Sequence, residues 1–457
     1  MPSIHDFMTW EPLLRLLHVD NVESLGASGG HVAGQIGHNA WSLPLLPRFP
    51  TPGRALQADG MRDDLDAVER VQNALLDAGL DAISFAAEVS PTGRAVLHLF
   101  TTSSAVEEGI GPYPGSLILV DGSVPQPWRR SPDPVLGAVQ APSVDLALLE
   151  RTLRERMPGA TGATEAEIAA TEARLGVALP DELKALYRVT RGQRQDWGDN
   201  YAAADRVIEA VGCELFPLDD LYIADAASRP YLWRFAATEA AGTLPNATVQ
   251  GVVGSPGWIA FGASGGGDRI AVDLTPGPDG HVGQIIVLDH EIGADLLAES
   301  LTQLVVNRPT VQHFSRRGEE SPVIARVNIN ALTSIQAAAH PSLEVLCIGV
   351  WDGEPLSLAP VTGLPRLRTL TAYPGTLVDP LEITKLTGLE FLELGPEEWR
   401  VLLDAGAVPH GLSAAAIQVH GNQHPLPIVA LANDLLSLWN RPPITVTVLN
   451  GDLGPVA

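Results

Sequence analysis

The sequence predicts an α+β fold, and three observations carry that expectation. The middle of the chain reads helix, helix, strand, strand, strand, helix, an order suited to an antiparallel sheet with flanking helices. Strand-like runs flank the glycine cluster in "FGASGGGDRIAVDL" at 261–274, as a hairpin requires. Toward the C-terminus the leucines Leu343, Leu367, Leu389 and Leu412 recur every 22 to 24 residues, within the roughly 20 to 29 residue period of leucine-rich repeats. A chain of 457 residues exceeds what one hydrophobic core supports. We divide it into a small α+β domain over 1–157, a middle domain over 158–310 and a repeat-bearing domain over 320–457.

In the first domain, "DDLDAVERVQNALLDAGL" places Leu65, Val68, Val71, Leu75 and Leu76 on one helical stripe that Gly79 stops. "AISFAAEV", "SPTG" and "RAVLHLF" follow as strand, turn and strand, and "GSLILVDG" is a further strand. The proline-rich stretch 124–143 is expected to be a linker, after which "VDLALLERTLRERM" returns to helix. The middle domain opens with Thr164 as N-cap and Glu165 and Glu167 in the first turn. A break at Gly176–Pro180 precedes a second helix, with Pro180 in its first turn and Leu183, Leu186, Tyr187 and Val189 inward. "CELFPLDDLYIA" is a short strand leading into a loop; "WIAF", "RIAVDL" and "GQIIVLD" are strands between glycine-rich turns; "DLLAESLTQLVV" closes the domain as an amphipathic helix. Beyond the polar linker "HFSRRGEESP", the segments "SLEVLCIG", "RLRTLTAY", "GLEFLELG" and "GLSAAAIQ" carry the repeating leucines. The asparagine that usually follows each strand of such repeats is missing. A short, irregular leucine-rich-repeat-like solenoid is expected, with a leucine-rich helical bundle as the alternative.

Composition narrows the function. Twenty-nine basic against 54 acidic residues give a formal charge of −25 and a pI near 4.7, which argues against a nucleic-acid binder, since phosphate neutralisation needs a lysine or arginine surface. Two cysteines, Cys213 and Cys347, form no CxxC pair and encode neither a disulfide framework nor a cysteine zinc site. No signal peptide and no run of about 18 apolar residues is seen, so the expectation is a cytoplasmic protein without membrane contact.

Candidate chemistry is sparse. A phosphate-cradling loop needs a lysine and a following helix; the glycine cluster is followed instead by Asp268, Arg269 and a strand, so it is expected to turn a hairpin. Asp268, Asp273, Asp289, His290 and Glu291 do not match known metal-ligand spacings, and solvated or turn-capping roles are expected for them. His31 and His38 lie in a glycine-rich stretch without a companion carboxylate and are expected to be loop residues. No catalytic residue, cofactor or metal is therefore assigned. The aromatic residues Trp197, Tyr201, Tyr231, Trp233 and Trp258 fall in or near loops of the middle domain, where such side chains either anchor protein partners or pack in the core.

Several pieces of the middle domain occur together in a familiar order: the helix pair broken by Leu179-Pro180, the "LFPLDDL" strand, Gly265–Asp268, Asp273, Pro276, and Gly283-Gln284. This segment resembles the SUKH superfamily, in particular its Smi/Knr branch. The resemblance implies an α+β fold and a non-catalytic role in binding a partner protein such as a toxin, as in bacterial immunity, or a regulatory role in cell-wall synthesis and signalling. Arg191-Gly192 stands where the family often has asparagine-glycine. A bacterial source is suggested by the alanine, glycine and arginine usage. On this reading Trp197, Tyr201, Tyr231, Trp233, Asp268, Asp273 and His290 are the candidate partner-binding residues, with a scaffold role, or a small-ligand or catalytic site near His290, as the alternatives.

Overall fold

The computed structural model describes residues 3–27, 30–46, 58–109, 111–192, 208–240, 242–289, 293–308 and 323–454. The chain forms two compact units, Met1–Ser123 with Ser321–Ala457, and Val124–Glu320. This division differs from the three parts expected from the sequence. The first and last parts are joined by strand pairing: Thr445–Asp452 runs antiparallel to Arg94–Thr101 over eight positions, and Leu117–Leu119 runs antiparallel to Ala414–Ile417. Pairing between residues about 300 to 360 positions apart leaves no local signature.

In the first unit, a five-stranded antiparallel sheet has the order Thr445–Asp452, Arg94–Thr101, Ala82–Val89, Val32–Gly37 and Trp41–Ser42. Helices Phe7–Asp20 and Ala58–Ala78 share its apolar core, where Trp10, Leu13, Leu14 and Leu17 meet Phe85, Leu97 and Leu99. Asp6 caps the first helix by accepting from Met8 N–H at 3.0 Å. The buried stripe of the second helix is Ala67, Val68, Val71, Ala74 and Leu75, whereas Leu65 and Leu76 are exposed. Alanines thus lie at the close contacts and the expected stripe is rotated.

The same unit contains a parallel array. Strands Ile324–Val327, Val345–Ile348, Thr369–Ala372, Phe391–Leu394 and Ala414–Ile417 lie side by side in sequence order. They begin 21 to 24 residues apart and return through short segments such as Ala359–Val361 and Pro380–Lys385. The repeating leucines sit two residues before four of these strands, and Leu343, Leu367, Leu389 and Leu412 are all buried in one core with Leu346, Leu370 and Leu392. A helical bundle is excluded by this pairing. The opposite register row, Val345, Thr369, Phe391 and Ala414, is also fully buried, so it is not a free docking surface. Arg368 and Glu344 form an ion pair beside it at 3.2 Å with both side chains buried.

The second unit packs helices against an antiparallel sheet ordered Ala294–Ala298, Gln284–Leu288, Arg269–Asp273, Trp258–Ala263 and Glu214–Leu215, with Tyr222–Ile223 also on Trp258–Ala263. Helix Glu165–Leu175 starts in a capping box between Thr164 and Glu167 and ends at Gly176, whose φ of 71° is the left-handed conformation glycine adopts freely. Pro180 is the N-cap of helix Asp181–Val189 rather than a first-turn residue. Helix Leu146–Arg156, read from sequence as part of the first domain, buries Leu149 and Leu153 among Leu183, Leu186 and Leu304 of this unit. The expected single helix over 295–306 is two elements. Ala294–Ala298 is an edge strand, and Ser300, accepting from Gln303 N–H at 3.0 Å, starts helix Leu301–Asn307. The cap fixes the helix start, and backbone pairing with Gln284–Leu288 takes the residues before it.

Candidate protein-binding surface

The glycine cluster turns a hairpin, as expected. Trp258–Ala263 and Arg269–Asp273 pair antiparallel across it, Ser264 N–H donates to Asp268 O at 3.1 Å, and Gly265 and Gly267 have φ of 82° and 107°. A side chain at either glycine would be strained, which is why this turn is glycine-rich. Ser264 Oγ–H donates to Asp268 Oδ2 at 3.3 Å, and Asp268 is buried.

Asp273, at the far end of the hairpin, has no exposed area. Its Oδ1 accepts from Trp258 Nε1–H at 2.9 Å, Thr275 N–H at 2.7 Å and Thr275 Oγ1–H at 3.2 Å; its Oδ2 accepts from Gln284 Nε2–H at 2.9 Å. Burial pushes the carboxyl up to about 6, against the downward pull of Gln284, Thr275 and Trp258. Gln284 extends the network, donating also to Thr248 O at 2.7 Å and accepting from His281 N–H at 3.0 Å. The arrangement ties three strands to the segments of Thr248 and Thr275.

Trp233 is also buried, on the inner side of helix Trp233–Thr238 with Ala236 and Ala237. Tyr231 is half-buried and packs on Trp128 with ring centroids 4.8 Å apart, while Trp128 Nε1–H donates to Arg229 O at 2.9 Å. Trp128 belongs to the proline-rich stretch expected to be a linker; it is instead buried in this unit with Ala236 and Val253. Trp197, Tyr201 and His290 lie outside the described residues.

Burial therefore corrects the partner-contact expectation for Trp233, Asp268 and Asp273, whose side chains serve the interior. The exposed groups beside them are Leu232 and Phe235, 52% and 64% exposed. They sit three positions apart: Leu232 is the N-cap of the short helix, and Phe235 lies on its side opposite Trp233 and Ala237. Part of the signal was available in "LWRFAAT": once Trp233 is inward, helical spacing sends Phe235 outward. Among the described residues, no group of three or more His, Cys, Asp or Glu is arranged to hold a metal ion. Two shallow depressions, of about 320 Å³ beside Leu80 and Thr102 and about 570 Å³ on helix Leu146–Arg156, include neither Asp268 nor Asp273. Burial pushes the Cys213 thiol up to about 12, which removes it as a nucleophile near neutral pH.

The helix pair, the glycine hairpin and the closing helix all lie in one matched segment, since the model of the SMI1 / KNR4 family (SUKH-1) matches residues 162–307. These residues are a SMI1/KNR4 domain. Over 67 residues the chain is 39% identical to the "Glucan synthesis regulatory protein" of Neurospora crassa, covering 15% of this chain and 13% of that protein. Over 146 residues it is 30% identical to the "Cell wall biosynthesis/cell cycle regulator smi1" of Schizosaccharomyces pombe, covering 28% of this chain and 27% of that protein. The chain thus spans about a quarter or less of the length of these curated relatives, both of them fungal. The Asp273 network and the Leu232/Phe235 pair lie inside the SMI1/KNR4 domain; Trp128 and helix Leu146–Arg156 precede it. No described helix is long and apolar enough to cross a membrane.

Proposed function

We propose that this protein is a non-catalytic regulator that acts by binding a partner protein through its SMI1/KNR4 domain. The observation that carries the reading is the domain match, with relatives named as regulators of glucan synthesis and cell-wall biosynthesis. The exposed Phe235, next to the exposed Leu232, supports it, because aromatic side chains are enriched in the cores of protein interfaces. The parallel array at 324–417, read as a leucine-rich-repeat-like frame, supports a scaffold that holds its own shape. A cytoplasmic setting belongs to the same reading. The names of the relatives favour regulation; toxin neutralisation is the more specific form of partner binding that the SUKH resemblance implies.

Affinity capture of the full chain from its native cell tests this. A defined protein partner is expected to be recovered, and a Leu232→Asp/Phe235→Asp double variant is expected to lose at least tenfold of it. Both positions are exposed, so the melting temperature should stay within about 2 °C, since surface changes are usually worth about ±0.5 kcal/mol. Failure of the unmodified chain to retain any partner would overturn the reading. Equal recovery by the double variant would remove the Leu232/Phe235 surface from it.

A further inference from the structure

Three histidines and one glutamate meet on the first unit, outside the SMI1/KNR4 domain, and no part of the regulatory reading uses them. His31 precedes strand Val32–Gly37, Glu88 and His98 lie on the adjacent strands Ala82–Val89 and Arg94–Thr101, and His424 is the N-cap of helix Pro425–Leu438. Both ring nitrogens of His424 are committed. Nδ1 accepts from Leu426 N–H at 3.2 Å, capping the helix, and Nε2–H donates to Glu88 Oε1 at 3.2 Å. This pattern requires the neutral ring protonated on Nε2. His31 is buried and its Nε2–H donates to Gln423 O at 3.1 Å, with its ring centroid 4.5 Å from that of His424. His98 stands edge-on at 6.2 Å, its Nε2 3.7 Å from Glu88 Oε1. With both His424 nitrogens and His31 Nε2 engaged in this way, the cluster is not a set of free metal donors.

We propose that this cluster is an acid-sensitive latch, in which a second proton on His424 uncaps helix Pro425–Leu438 and releases its first turn from the N-terminal sheet. The new proton must go to Nδ1, where it faces the Leu426 N–H that it had accepted from, so the cap bond is lost. The same proton sets an imidazolium beside His31, and the carboxylate in contact with His424, Glu88, is shared with His98. Tyr113, whose hydroxyl donates to Gly421 O at 3.0 Å, also faces the segment before the helix and stays neutral over the range concerned. Burial, then the nearby His31, hold His424 below the ordinary histidine range, with Glu88 opposing. The sign follows: the folded state resists a proton that the unfolded chain accepts. The stability His424 contributes is therefore present above about pH 6.5 and is lost as pH falls below it.

Amide exchange on the full chain, expressed as protection factors at Leu426, Ile428 and Val429, tests the latch. Protection is expected to fall at least tenfold between pH 7.5 and pH 5.5. A His424→Asn variant, which keeps a capping oxygen but cannot titrate, is expected to show less than a twofold change. Protection in the unmodified chain that is equal at the two pH values, or a pH dependence that persists in His424→Asn, would overturn the proposal. A ring titration followed on the unmodified chain by NMR gives a check that needs no variant: a value below that of ordinary histidine is expected, and a value at or above it would sink the latch.

Discussion

Replacing Asp273 with alanine is expected to lower the stability of the SMI1/KNR4 domain by about 3–5 kcal/mol at pH 5, measured by urea unfolding. The magnitude comes from the donors left behind. Trp258 Nε1–H and Gln284 Nε2–H point at the Asp273 carboxyl from buried positions and Thr275 N–H from a half-buried one, and each unmet buried donor costs roughly 1–3 kcal/mol. Thr275 Oγ1 loses least, because Ser255 Oγ lies 2.7 Å away as another partner. Asparagine should be milder, about 1–2 kcal/mol: its carbonyl still accepts, but its amide meets the amide of Gln284 donor to donor. A flip of Gln284 to correct this would forfeit its bonds to Thr248 O and His281 N. The pH dependence separates packing from charge. With the carboxyl raised from 3.8 to about 6 in the folded state, its contribution is fully present below about pH 4 and is lost as pH rises through about 6. The advantage of the unmodified chain over Asp273→Ala should therefore shrink between pH 5 and pH 7.5. A difference that is constant or grows over that interval would show that burial does not dominate at this carboxyl.

Asp273 also marks the limit of what the sequence makes legible. The hairpin around it is written locally, in "WIAF", "GASGGGD" and "RIAVDL", because a glycine-rich turn between two apolar runs has few other solutions. The same local logic yields helices Glu165–Leu175 and Asp181–Val189 and the regular strand spacing of the parallel array. What a side chain does once folded depends on partners distant in sequence. Asp273 was expected to be solvated or to cap a turn; it does accept from Thr275 N–H, but Trp258 and Gln284 close around it from two other segments. Trp128 illustrates the same limit, since a proline-rich context suggests a linker while its ring is covered by residues about 100 positions away. The exposed pair Leu232 and Phe235 was decipherable in part. A short helix whose inner face is Trp233, Ala236 and Ala237 must turn Phe235 outward, whereas Leu232 is the extended N-cap, whose exposure helical spacing does not set.

The buried carboxylate of Glu182 carries the second large expectation. Glu182→Ala should cost about 2–4 kcal/mol, and Glu182→Gln about half of that, in the same unfolding measurement. Glu182 sits in the first turn of helix Asp181–Val189, yet its side chain serves another helix. Its Oε2 accepts from Leu301 N–H at 3.1 Å and its Oε1 from Thr302 N–H at 2.8 Å and from the Thr302 hydroxyl. These are two of the N–H groups that helix Leu301–Asn307 cannot satisfy internally, and a carboxylate there also meets the positive end of the helix dipole. Thr302 Oγ1 in turn accepts from the backbone N–H of Asp145, the residue whose side chain caps helix Leu146–Arg156 through Leu148 N–H at 2.9 Å. One carboxylate and one hydroxyl thus fix three helix starts over a shared core of Leu149, Leu183, Leu301 and Leu304. Glutamine retains the carbonyl for Thr302 but turns an amide toward Leu301 N–H, which is why its cost is smaller without vanishing. Because Glu182 and Thr302 act through one contact, Thr302→Ala and Glu182→Ala should be non-additive by about 1–2 kcal/mol. Additive losses would mean that the two groups stabilise the junction independently, and the three-helix account would fail.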